Sequence, residues 1–367
     1  MKIIFATSTL GSGGAERVIS ILANEFVHRG YKVEMIALTS ISPDYYKLDD
    51  DVKFIHADKE CNGGLIKEVI WFRKHVKEEN PDCVIAFMEA VYEFVLFSLI
   101  GTGISVISSE RKDPATLGPL RKILRWFLLP TASAHVVQTK QIRDYYNKGI
   151  RRNTHIIYNP VDERVWPLHK LALRDGLKRE KRIVSVGRLY PQKNQKMLIR
   201  VFAKIANKYP DYSLVIFGEG FLRNELQNTI DQLRLHDRVK MPGRTSTVIE
   251  EVAKSEVFCL SSNFEGMSNA MIEAMCVGTP VISTRVSGTD ELIKNGENGI
   301  LVDIGDENAL ALAMDRLLGD KNLREKLSKK GCESASLFKT DKIVDEWENL
   351  IKEVTTVPLK WTNRSLN

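Results

Sequence analysis

The sequence predicts an α/β protein built from two doubly wound parallel-sheet domains. Three observations point there. Short apolar runs alternate with amphipathic stretches; the alternation breaks off in a polar, proline-containing segment and starts again; and 367 residues are more than one core usually holds. Strands that alternate with helices imply right-handed β-α-β units and parallel sheets covered on both faces.

In the first half, strands are expected at residues 3–6, 32–38, 52–56, 83–87, 105–108 and 135–138, and helices at 15–29, 65–79 and 119–129. Val18, Ile19, Leu22 and Phe26 give the first helix its apolar stripe, and Gly30 ends it. Residues 90–107 are apolar but carry Glu93 and the breaker Gly101-Thr102-Gly103, so they read as helix, turn and strand rather than a membrane span. The pattern restarts with strands at 182–186, 213–217, 239–241, 257–260 and 281–283. Helices are expected between them at 195–208, 223–233, 248–253 and 269–276, then at 308–319 and 323–337. The polar stretch 159–180, with Pro160 and Pro167, is the expected linker.

Composition bounds the function. Apolar content of 43% and charged content of 27% are those of a soluble globular protein. The chain opens on a short strand followed by a glycine turn, so no leader peptide is expected. The five cysteines are scattered without a C-x-x-C, which fits free thiols in a reducing cytosol better than disulfides or a metal centre. Asp49-Asp50-Asp51 reads as a solvated turn, and the seven histidines are isolated, so no metal site is expected. The net charge is +6, yet residues 100–155 alone hold ten Lys or Arg against three acids. Within that segment Arg121, Lys122, Arg125 and Trp126 alternate with aliphatic residues. If the bases face outward, this helix suits an anionic membrane surface. The competing reading is a core helix whose bases snorkel to its outer face.

The most specific chemistry lies near the end of the second half, where Phe264-Glu265-Gly266-Met267-Ser268-Asn269 leads into Ala270-Met271-Ile272-Glu273. Ser268 or Asn269 caps the expected helix and Gly278 ends it. The backbone N–H groups of Gly266, Met267, Ser268 and Asn269 then form a phosphate cradle at a helix start. Glu265 reaches polar groups on one side and Glu273, in an apolar helix, accepts from a diol on the other. A nucleotide sugar has that layout. Gly187 and Arg188 follow one strand, and Lys193 follows the same turn, so two cations face the cradle as a diphosphate clamp. Gly218 ends the next strand, where a ligand can approach closely. After the first strand, Gly11-Ser12-Gly13-Gly14 supplies a second close approach, but it lacks the G-x-G-x-x-G spacing of a nicotinamide site.

These segments, Gly13-Gly14-Ala15-Glu16-Arg17, Gly187-Arg188-Leu189 with Lys193-Asn194, Gly218-Glu219-Gly220, the Glu265/Glu273 pair with Gly278-Thr279-Pro280, and Asn159-Pro160-Val161-Asp162, resemble retaining glycosyltransferases of family 4, in family order. The resemblance implies the GT-B fold, two Rossmann-like domains facing a cleft, here residues 1–165 and 166–338, with a last helix within 339–367 crossing back to the first. It implies that Arg188 and Lys193 bind the diphosphate of a UDP-sugar, Glu265 its sugar hydroxyls and Glu273 the ribose diol, with Gly13 and Gly14 against the diphosphate and sugar. Retention of configuration would proceed by front-face attack without a metal or an enzymic nucleophile. Many relatives carry a histidine near the sugar; here the corresponding strand ends read Phe87-Met88-Glu89 and Ser109-Glu110-Arg111, so Glu89 or Glu110 would substitute. Glu16, Arg17, Glu89, Glu110 and Arg111 are the acceptor-side candidates. The first domain is similar to bacterial enzymes that build polyprenyl-diphosphate-linked glycans, which implies a lipid-linked acceptor and a cytoplasmic enzyme peripheral to the membrane. Competing readings are a UDP-sugar epimerase or hydrolase of the same fold, a non-catalytic nucleotide-sugar sensor, and a nucleic-acid binder; no recognised nucleic-acid motif supports the last.

Overall fold

The computed structural model describes residues 1–41, 43–61, 63–174 and 176–356. The chain divides into two compact units: Met1–Pro160 joined by the segment from Asp341 onward, and Val161–Thr340. Of the segment 339–367, the residues beyond 356 lie outside the described part.

The first unit is a seven-stranded sheet: β1 (Lys2–Thr7), β2 (Lys32–Ala37), β3 (Lys53–His56), β4 (Cys83–Phe87), β5 (Ser105–Ser109), β6 (Ala134–Val137) and β7 (Thr154–Ile156). The order is β3-β2-β1-β4-β5-β6-β7, and every pairing is parallel. Side chains alternate across the sheet as strand periodicity requires. Ile3 and Phe5 join one core with Phe26 of the helix Gly14–His28 and Trp347 of the helix Thr340–Thr356. Ile4 and Ala6 join the other, under the helices Gly64–Glu79, Glu89–Leu99 and Pro119–Leu128. Trp347 is fully buried and stacks on Phe87 with ring centroids 5.8 Å apart.

The second unit is a six-stranded sheet: β8 (Glu180–Val186), β9 (Ser213–Phe217), β10 (Val239–Gly243), β11 (Ser255–Leu260), β12 (Val281–Thr284) and β13 (Ile300–Val302), ordered β10-β9-β8-β11-β12-β13. The helices Gln195–Ala206 and Glu307–Gly319 cover one face of it.

Several elements were not apparent from periodicity, among them two strands and one helix. β7 and β13 are each too short for an alternation to register. The expected linker 159–180 contains the helix Val165–Leu173, in which Pro167 lies in the first turn, where its missing N–H costs no hydrogen bond. All five cysteines are free, four of them buried.

Each sheet reverses its strand order once, between β1 and β4 and between β8 and β11. At such a point the connections leave toward opposite faces, and a crevice opens at the carboxyl ends of the two strands. Replacing Trp347 by Ala should cost the first unit about 3–5 kcal/mol, because it empties a large buried ring site. Trp347→Phe should cost less than half as much, both read by denaturant unfolding.

Candidate active site

In the second unit, the loops after β8 and β11 meet at the switch point. The backbone after β8 is pinned by Gly187 N–H to the Phe217 carbonyl, at 3.0 Å, and by the Gln195 amide to the Arg188 carbonyl, at 2.9 Å. Gly218 sits at φ +138°, and a Cβ there would collide with the Gly187 carbonyl oxygen, so the close approach of the two strand ends requires glycine. Asn194 caps the following helix in the left-handed region, φ +47°. Its side chain, with Gln192 and Ser261, stitches the two loops together.

This framework holds Lys193 against Glu265. Lys193 Nζ lies 2.5 Å from Glu265 Oε1, and both side chains are largely buried. Glu265 Oε1 also accepts from Ser262 Oγ at 2.7 Å, and its Oε2 accepts from Gln192 Nε2 at 3.1 Å. The carboxylate is thus fixed in direction, as a buried charge must be. Arg188 is exposed and has no acidic partner among the described residues; its guanidinium lies 5.2 Å from the Tyr190 ring centroid. Gly266 and Met267 then lead into the helix Asn269–Cys276, whose Ser268 hydroxyl accepts from Met271 N–H. Asn269 is its first residue. Glu273 lies one turn further in, buried among Met271, Ile272 and Met275. It contributes to the field that, after the Asp162 hydrogen bond, raises the Arg164 guanidinium. The structure therefore brings Gly187, Arg188, Lys193, Gly218 and Glu265–Asn269 to one strand-end region. Sequence reasoning missed Ser262 and Gln192, whose polar side chains flank the two loop charges.

In the first unit, Gly13, Gly14, Glu16 and Arg17 follow β1, and Glu16 folds over Gly13 so closely that a Cβ there would collide with its carboxylate. Across the switch point, Met88 turns the chain at φ +72°, uncommon for a side-chain-bearing residue, and Glu89 starts the next helix. Glu110 follows β5 and is wholly buried. Its Oε2 accepts from Tyr92 Oη at 2.8 Å, Tyr146 Oη at 2.9 Å and Arg125 Nη1 at 2.8 Å. Burial pushes the Glu110 carboxyl up to about 8; Arg125 opposes this, and hydrogen-bonded Glu89 adds to it. Glu110 therefore holds its proton at neutral pH, while Glu89, with Lys112 at 3.8 Å, faces the strand ends. Arg111 rests on the Phe87 ring at 4.1 Å and donates to Asn159 Oδ1 at 2.5 Å. Among the described residues its Nε and Nη2 have no hydrogen-bond partner, and burial lowers the guanidinium to about 9, still protonated at neutral pH.

The outward orientation expected of Arg125 is corrected by the structure. Arg125 is 3% exposed and bridges Glu93 Oε1, at 2.8 Å, and Glu110. Arg121 reaches Glu93 Oε2 at 2.7 Å. The physical reason is that Glu93 and Glu110 are buried acids, and the i,i+4 pair Arg121/Arg125 is what compensates them. Lys122 and Trp126 do face outward. Among the described residues Glu34, His75 and Glu79 cluster as metal ligands would, but Lys2 and Lys53 already pair with the two acids, at the amino edge of the sheet.

Glu110→Gln tests the buried carboxyl. A carboxyl raised on folding makes the native state bind the extra proton, so stability falls as pH rises toward the folded value. The buried His135, lowered to about 3 by burial, gives the opposite slope below its unfolded value near 6.5. Between about pH 6.5 and 8 the wild type should lose stability with pH, and Glu110→Gln should flatten that slope in denaturation measured across the window.

Comparisons with known proteins place the chain in a family. The model of the family "Glycosyl transferases group 1" matches residues 174–334, and that of "Glycosyltransferase Family 4" matches residues 12–165. A Campylobacter jejuni protein is 30% identical over 96% of this chain and 99% of its own length. It is named GalNAc-alpha-(1->4)-GalNAc-alpha-(1->3)-diNAcBac-PP-undecaprenol alpha-1,4-N-acetyl-D-galactosaminyltransferase. A second from that organism, a 4-alpha-N-acetylgalactosaminyltransferase named for N-acetylgalactosamine-N,N'-diacetylbacillosaminyl-diphospho-undecaprenol, is 28% identical over 91% of this chain and 95% of its own. Among solved structures, Anabaena HepE in complex with UDP superposes with TM-score 0.79 at 18% identity, over 96% of this chain and 100% of that one. Sucrose-phosphate synthase from Thermosynechococcus elongatus gives TM-score 0.81 at 19% identity, over 97% and 99%. The chain belongs to the family 4, group 1 glycosyltransferases and has their GT-B fold of two Rossmann-like domains.

Proposed function

We propose that this glycosyltransferase moves a hexose or N-acetylhexosamine from a UDP-sugar to a lipid-linked glycan, with retention of configuration, at the cytoplasmic face of a membrane. The observation that carries the reading is the Lys193–Glu265 pair beside exposed Arg188 at the β8/β11 switch point. A UDP-sugar is the donor that the layout fits, and the UDP complex of the structural neighbour HepE agrees with it. The lipid-linked acceptor is supported by the Campylobacter relatives, whose names specify diphospho-undecaprenol acceptors.

In this reading Arg188 and Lys193 take the diphosphate charge that grows as the glycosidic bond breaks. Lys193 keeps donors free after pairing with Glu265. The N–H groups from Gly266 to Asn269 add the positive end of a helix. Glu265 orients sugar hydroxyls, and Glu273 accepts from the ribose diol. Loss of the diphosphate proceeds with attack of the acceptor hydroxyl on the same face. The hydroxyl's proton passes to the departing phosphate oxygen, so no enzymic nucleophile is required. On the acceptor side, Glu89 and Arg111 reach the strand ends, Gly13, Gly14, Glu16 and Arg17 line the β1 loop, and enclosed Glu110 acts through Glu89 as a positioning residue. Two cations and a helix start suffice for the diphosphate, so the transfer is proposed to need no metal.

Arg188→Ala and Lys193→Ala should each lower kcat/KM for the UDP-sugar by about 2–4 kcal/mol of transition-state stabilisation, roughly 30- to 900-fold, with unchanged unfolding curves. Unchanged kcat/KM in both variants would remove the donor-site assignment. Activity should also survive EDTA. Loss on chelation, with recovery on adding Mn²⁺ or Mg²⁺, would overturn the metal-free scheme.

A further inference from the structure

The helix Pro119–Leu128 is amphipathic in the reverse sense of a core helix. Its charged Arg125 points inward with Leu128, while Leu120, Ile123, Leu124 and Phe127 fall at the i, i+3, i+4, i+7 positions of one face and are all exposed. Leu120 is 82% exposed and Phe127 68%; Trp126, beside them, is 59% exposed. A stripe of this size facing water is unfavourable, and in a soluble protein it marks an interaction surface. Next to it opens a pocket of about 240 Å³, lined among others by Leu117, Trp126, Tyr145 and Ile150, with Lys122 and Arg125. Aromatic rings beside cations are the side chains that settle where hydrocarbon meets headgroups.

Charge selects the occupant. Residues 112–152 hold nine Lys or Arg against two acids. Arg121 and Arg125 are consumed internally by Glu93 and Glu110. Asp144 is met by Arg143 and Arg151, and Asp113 accepts a backbone N–H from Ala115. Lys122, Lys140 and Lys148 remain exposed. Lys122 lies on the helix itself, with its ammonium on the Ala115 carbonyl, and Lys148 lies between the pocket-lining residues Asn147 and Ile150. A second copy of the chain would bring an identical basic patch against this one in a two-fold contact, which repels. An anionic lipid surface attracts the lysines and takes up the stripe.

We propose that the outward face of the helix Pro119–Leu128 inserts into the headgroup boundary of an anionic bilayer, with Ile123, Trp126 and Phe127 as the inserted side chains and Lys122 and Lys148 at the phosphates. The inserting residues are thus the apolar ones, and the arginines of the helix anchor it to its own domain. This rests on the reading of a lipid-linked acceptor for its biological sense, and on the exposed stripe and its charges for its chemistry.

The test uses the full chain with vesicles of phosphatidylcholine, with and without phosphatidylglycerol. The wild type should float with the anionic vesicles, less at high salt and less with phosphatidylcholine alone. An Ile123→Asp/Phe127→Asp double variant should partition at least about tenfold more weakly. A Lys122→Glu/Lys148→Glu variant should bind more weakly and lose much of the salt dependence. Retained UDP-induced thermal shifts in both variants show that the fold and donor site are intact. The proposal is overturned if the wild type does not float, if the apolar double variant floats equally well, or if light scattering shows a dimer that this variant dissociates. Wild type that floats but gives no thermal shift with UDP would instead count against the UDP-sugar reading and leave the membrane face standing.

Discussion

A parallel sheet leaves its carboxyl edge unfinished where its strand order reverses, and the chemistry of both units depends on that constraint. Next to β1 and β4, and again next to β8 and β11, successive connections depart to opposite faces, so no helix covers the strand ends between them. Loops of glycine and charged residues are what the chain places there. In the second unit those loops are tied to each other through Gln192, Asn194 and Ser261. The rigidity of the scaffold is therefore transmitted to Lys193 and Glu265.

The first unit solves a harder electrostatic problem. Glu93 and Glu110 are buried, Glu110 completely, and an uncompensated carboxylate in such a place is far more costly than a paired one. The solution combines proton and charge. Glu110 holds its proton, Tyr92 and Tyr146 donate to it, and Arg125 bridges it to Glu93. One consequence reaches the surface. With Arg121 and Arg125 drawn to the buried acids, helical geometry turns Leu120, Ile123, Leu124 and Phe127 of the same helix outward. The exposed stripe and the buried network are two sides of one helix, and neither is intelligible without the other.

The fold was legible because it is written in periodicity. Most strands and helices lie within a few residues of where the alternation of apolar and polar positions puts them, and the glycine-bearing loops fall at the strand ends as expected. What stayed hidden has physical causes. β7 and β13 are too short to carry a pattern, and Pro167 looks like a breaker although it occupies a helix's tolerant first turn. The strand-end residues around Glu265 could be found because a buried acid in an apolar helix and paired loop cations are unusual locally. The inward turn of Arg125 could not, since its partners Glu93 and Glu110 are 32 and 15 residues away in the chain. A basic-apolar helix read in isolation assigns its charges to water; only the long-range acids reverse it.

The pairing of Lys193 with Glu265 bears on how the proposed transfer gains its rate. Lysine loses much rotamer freedom when it is fixed, and a site that fixes it only on binding donor spends binding energy on that ordering. Here the ammonium is already held by Glu265, which is itself held by Ser262 and Gln192. The carboxylate lowers the net charge that Lys193 shows to a resting diphosphate, so ground-state binding is moderated. In the proposed transfer, negative charge gathers on the leaving diphosphate as the glycosidic bond breaks, and the preset ammonium of Lys193 meets it without reorganising, which is where a fixed charge contributes to kcat rather than to KM.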